Sequence, residues 1–166
     1  MKTIKKNPIF SYIDSDFANW NVVDKHPHVE KREINIKTLK KDSTFAEMFT
    51  DPENQWVTQA ELIDLCTNRK DELSKYGCVN FFLLKSENEF FVASVYLADL
   101  VHLKVRVYRF SERLVWRASG QHRFVIPATK PVILNSDTQS LINLDTKIED
   151  AISLLKENGY IITKQF

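Results

Sequence analysis

The stretch VNFFLLKSENEFFVASVYLADLVHLKVRVYRF, residues 79–110, decides the fold. Val79–Lys85 and Phe90–Leu97 are apolar runs rich in aromatic and β-branched residues, and the polar Ser86-Glu-Asn-Glu89 joins them. That is the pattern of strand, turn and strand. Residues 102–110 then alternate, with Leu103, Val105 and Val107 set against His102, Lys104, Arg106 and Tyr108. A period of two belongs to a strand with one buried face, since successive side chains point to opposite sides. Phe81-Phe82 and Phe90-Phe91 place aromatic groups on both sides of their strands, so both sheet faces need a cover. Periodicity alone leaves 93–103 open between a strand and a buried helix.

Toward the C-terminus, Ser111-Glu112 reads as a turn, Leu114–Ala118 as a fourth strand and Ser119-Gly-Gln121 as another turn. His122–Ile126 is a fifth strand stopped by Pro127. Short links between strands favour an antiparallel meander. Toward the N-terminus, Thr58-Gln-Ala-Glu61 has the spacing of a capping box, and Val57 and Leu62 sit where a hydrophobic staple needs them. Leu62, Leu65, Cys66, Arg69 and Leu73 continue at helical spacing until Gly77. Thr44-Phe-Ala-Glu47 opens a shorter helix that Asp51-Pro52 ends. Glu33–Lys37 alternates as a strand, and the rest of 1–57 looks irregular. A third capping box at Thr146-Lys-Ile-Glu149 starts a last helix that Gly159 ends, with Tyr160–Thr163 as a terminal strand.

The sum is one α+β domain over 1–166. An antiparallel meander of about five to seven strands packs with two or three helices, and residues 1–57 cover the sheet. The chain has 166 residues, 43% hydrophobic and 27% charged, which excludes a mostly disordered chain. Its three glycines, Gly77, Gly120 and Gly159, are isolated. Walker and dinucleotide loops need clustered glycines, so both are excluded, and no cofactor signature remains. No apolar run of signal-peptide length follows the basic start. The most apolar stretch, 90–110, carries Asp99, His102, Lys104, Arg106 and Arg109, which are too costly in lipid for a spanning helix. The expectation is a soluble cytoplasmic protein with no membrane partner. Cys66 and Cys78 form no CxxC pair, and Cys66 falls on an apolar helix face as a small hydrophobe.

Charge is segregated although the net formal charge is only +1. Residues 42–77 hold three basic and eight acidic groups, a balance of −5. Residues 102–136 hold seven basic groups against Glu112, a balance of +6. Strand alternation gathers Lys104, Arg106, Tyr108, Arg113, Arg117 and Arg123 onto one sheet face. Cations that track phosphates, with an aromatic on which a base can stack, describe a surface for RNA or single-stranded DNA. The reading is therefore a non-catalytic nucleic-acid-binding protein, although no RRM-type aromatic motif is present.

Two alternatives stand beside it. His102, Tyr108, Arg117, His122 and Arg123 offer the groups for metal-independent RNA cleavage, in which His or Tyr moves protons and Arg holds the phosphate. Aromatics left uncovered by residues 1–57 would instead mark a protein partner or a homodimer. His26-Pro27-His28 with Asp24 and Glu30, and the pair Asp14 and Asp16, fall short of a metal site for want of further ligands. No metal is expected.

Overall fold

The computed structural model describes residue 4 and residues 7–22, 32–73, 77–87, 89–98 and 102–128. The chain divides into two compact units, Met1–Val132 and Ile133–Phe166, and every described residue belongs to the first. The expected helix from Thr146 and the strand at 160–163 lie outside the described residues, as do His26 and His28.

In chain order the elements are β1 (Phe10–Ile13), α1 (Asp16–Asn19), β2 (Ile34–Thr38), α2 (Phe45–Met48), α3 (Pro52–Gln55), α4 (Gln59–Asn68), β3 (Asn80–Ser86), β4 (Glu89–Leu97), β5 (Leu103–Arg109) and β6 (Arg123–Pro127). The fold is α+β, built on one six-stranded sheet in the order β1-β5-β4-β3-β6-β2. The sheet is mixed, which corrects the expected antiparallel meander. Only β3, β4 and β5 form one. β6 crosses to the far side of β3 and pairs with it in parallel, then with β2 antiparallel. β1 joins the other edge in parallel with β5.

The expected fourth strand at 114–118 does not form. Its only ladder contact is a single bridge between Trp116 and Ser43. The physical reason lies in the direction of β6. A strand parallel to β3 cannot follow β5 by a hairpin, so the connecting residues must cross a sheet face. Residues 93–103 resolve as the end of β4 and the start of β5, with 99–101 outside the described residues. Phe91, Ala93 and Val95 enter one core while Val92 enters the other, an alternation that only a strand buried on both faces satisfies.

Two apolar cores flank the sheet. On one face α4 (Leu62, Ile63, Leu65, Cys66), with Phe10, Phe17 and Val22, covers Phe82, Phe91, Val95, Val105 and Val125. On the other, Phe45, Met48, Phe49 and Trp56 cover Phe81, Leu83, Val92 and Ile126. Residues before 58 thus contribute to the cover on both faces, joined on the helix face by α4. We call these the helix face and the indole face, the second after Trp116, which packs on it.

Both expected capping boxes within the described residues are formed. The Thr58 hydroxyl accepts from Glu61 N–H at 3.0 Å, and the Glu61 carboxylate accepts from Thr58 N–H at 2.8 Å. Glu47 likewise accepts from Thr44 N–H at 2.7 Å. α4 ends at Asn68, earlier than the expected Gly77, and a 3-10 turn at Lys70–Glu72 follows. Pro52 begins α3 at its first turn, where the missing N–H costs nothing. Burial pushes the Cys66 thiol up to about 12, consistent with an inert core side chain.

Candidate nucleic-acid interface

The register of β5 with its neighbours places each side chain. Tyr96 of β4, Lys104 of β5 and Tyr12 of β1 form one row across the indole face. Ser94 and Arg106 form the next row, and Val92 and Tyr108 the one after. The Tyr108 end of this face lies under Phe45 and Trp116, at ring-centroid distances of 5.8 and 5.9 Å. The Lys104 end is open. Tyr12 is 43% exposed, Arg106 is exposed, and Lys104 and Tyr96 are half-buried. Tyr96 and then Tyr108, which shares a hydrogen bond with the guanidinium, hold Arg106 above its ordinary range.

The segment between β5 and β6 crosses this same face. Trp116 anchors it, with its ring 4.6 Å from that of Phe81 and 5.4 Å from that of His122. A backbone pair with Ser43 and a bond from Ala118 N–H to the Asp42 carboxylate at 2.8 Å fix its path. Arg113 and Arg117 ride on the crossing segment, and both are exposed.

Arg123 is elsewhere, which corrects the expected common face. It pairs with Asn80, opposite Val95 of the helix-face core, so its side chain points away from Arg106. There its guanidinium donates to the Glu72 carbonyl. Arg109, also on the helix face, lies 4.9 Å above the Trp20 ring and pairs with Glu89 at 3.3 Å. Five of the six expected residues, Lys104, Arg106, Tyr108, Arg113 and Arg117, thus belong to the indole face or the segment over it.

Of the groups named for RNA cleavage, Tyr108 and His122 both pack on Trp116, while His102 and Arg123 lie apart from them. His102 precedes β5 while His122 precedes β6, with β4 and β3 between these strands. His122 Nδ1 accepts Val79 N–H at 3.1 Å, and Arg123 faces away. Among the described residues no group of three or more His, Cys, Asp or Glu is placed to hold a metal, Asp14 and Asp16 included. Among them, too, no helix is long and apolar enough to cross a membrane.

The His122 imidazole is wedged against Gly120, where a Cβ would stand 2.4 Å from Nε2, so no larger residue fits without displacing the ring. Burial holds its pKa below the ordinary imidazole value of 6.5. Between that lowered value and 6.5 the unfolded chain binds more protons than the folded one. Stability is therefore full above pH 6.5 and falls as the pH drops through the folded pKa. Urea denaturation from pH 7.5 to 5 tests this. His122→Asn, whose Oδ1 can still accept Val79 N–H, should flatten the dependence, and an unchanged slope in that variant would rule out His122 as its source.

Tyr12 and Tyr96 were not legible as site residues in the sequence. Tyr96 has the right parity on β4, a signal that needs 93–97 to be assigned as strand. Tyr12 arrives through a parallel pairing for which nothing local speaks.

No protein-family model, curated protein or solved structure matches the chain.

Proposed function

We propose that the protein is a non-catalytic binding protein for single-stranded nucleic acid, and that the open end of the indole face is its binding surface. The observation that carries this reading is the row of Tyr96, Lys104 and Tyr12 beside Arg106. Aromatic rings are sequence-tolerant stacking platforms, and cations spaced along a surface neutralise successive phosphates. Arg113 and Arg117 on the crossing segment extend the positive path. An interface with these four cations gives a salt slope of about −2 to −3 for a single strand.

Fluorescence anisotropy with labelled single-stranded RNA and DNA at low salt tests this directly. Arg106→Ala and Arg117→Ala should each weaken binding and reduce the salt slope by about 0.7. Arg123→Ala, on the opposite face, should leave both unchanged. Absence of binding at low salt, or an Arg123→Ala effect equal to that of Arg106→Ala, would defeat the reading.

A second reading, self-association, has its own observation. Leu114 and Val115 on the crossing segment are 42% and 63% exposed. Exposed aliphatic groups of this kind mark contact surfaces when they form a patch. Light scattering distinguishes it, since a monomer at every concentration removes it.

A further inference from the structure

Where β1 leaves the edge of β5 after Ile13, the sheet edge opens into a cavity of 340 Å³. Tyr12, Arg106 and Tyr108 line one side of it, and Asp16 and Glu112 contribute carboxylates. We propose that this cavity is a guanine pocket, into which one base of a bound strand turns. The inference rests on the single-strand reading above and names the base that the surface selects.

The argument is one of hydrogen-bond complementarity. Asp14, which also lines the cavity, is already spent, since it accepts Asp16 N–H at 3.1 Å and Val107 N–H at 3.4 Å. Asp16 accepts the Asn19 amide through Oδ1, and Glu112 accepts Arg109 N–H through Oε1. Each keeps its second oxygen without a hydrogen-bond partner among the described residues, and a carboxylate is an acceptor only. The cavity therefore wants a ligand edge with adjacent N–H donors. On its Watson–Crick edge guanine carries two side by side, the ring N–H and the exocyclic amine. Adenine and cytosine set one amine beside a ring acceptor that a carboxylate repels, and uracil offers a single N–H between two carbonyls.

Arg106 completes the match from the other direction. A guanidinium bonds the O6 and N7 acceptors of guanine in a bidentate fork. Tyr12 supplies an exposed ring for stacking. Three carboxylates against one arginine also exclude phosphate from the cavity, so the backbone is left to Lys104, Arg113 and Arg117 while the neutral base enters.

Labelled hexaribonucleotides test this by anisotropy: all-uridine, and the same strand with one central guanosine, adenosine, cytidine or inosine. The guanosine strand should bind about tenfold tighter than the others. Inosine, which lacks the exocyclic amine, should lose most of that gain. Asp16→Asn with Glu112→Gln should erase the preference, so that the guanosine strand binds that variant no tighter than the uridine strand does. Equal affinity for all five strands overturns the pocket and leaves the single-strand reading intact. No binding of any strand overturns that reading and the pocket with it. The inosine comparison uses the native protein and does not depend on how the double variant folds.

Discussion

Glu61→Ala should destabilise the protein by about 3–5 kcal/mol, far more than a carboxylate on a helix usually costs. The side chain has two roles. Its carboxylate receives Thr58 N–H at the start of α4 and grips Arg32 in two bonds, from Nε at 3.0 Å and from Nη2 at 2.7 Å. The Arg32 side chain is only 3% exposed. Its Nη2 also donates to the Trp56 carbonyl at 2.9 Å, and the guanidinium lies 5.4 Å from the Trp56 ring centre. Removing Glu61 leaves a cation in a site with little water to solvate it, and the penalty is that of an uncompensated buried charge. Guanidinium denaturation measures the loss. Arg32→Met combined with Glu61→Gln should recover most of it, because no charge is left buried and the neutral amide oxygen can still accept Thr58 N–H. A loss under about 1 kcal/mol in Glu61→Ala would mean that the pair behaves as an exposed one.

Phe81→Ala should cost about 3–5 kcal/mol as well, through a cavity at the middle of the sheet. Phe81 is fully buried on a central strand, with Phe45 at 5.6 Å, Trp116 at 4.6 Å and His122 at 5.9 Å between ring centroids. It is the floor on which α2 and the crossing segment both rest. The same truncation at Phe124, half-buried and touching Phe49 at 5.8 Å, should cost clearly less. Urea midpoints of the two variants decide the matter, and equal shifts would remove Phe81 from its central role.

What could be read in advance follows from how local each signal is. The strands at 80–86, 89–97 and 103–109, and the capping boxes at Thr44 and Thr58, are written in spacings of two to four residues, and they form as expected. The inward turn of Val105 and Val107 was legible for the same reason. Parity within one strand says nothing about a neighbouring strand, however. Arg123 lies on the helix face because β6 pairs with β3 in a register that sets it against Asn80, a relation between residues far apart. Residues 113–117 set the apolar run Leu114-Val-Trp116 between two arginines, which on its own reads as a short strand. Yet Leu114 and Val115 end exposed, because Trp116 docks on Phe81 and holds the segment over the face. The candidate cavity was invisible for a related cause. Asp14 and Asp16 were readable only as loop acids until β1 set them beside Arg106 and Glu112.

The parallel seating of β1 has a consequence for how the molecule is assembled during synthesis. Asp14 and Val107, which meet at the end of that pairing, are 93 positions apart. The ribosome delivers the first edge of the sheet long before it delivers the strand that holds it. Phe10 and Phe17 must wait without their lining until the β3-to-β5 unit exists, and closing so large a loop slows the final step. In the interval residues 10–17 present greasy side chains and unfilled backbone donors, the kind of target that chaperones shield.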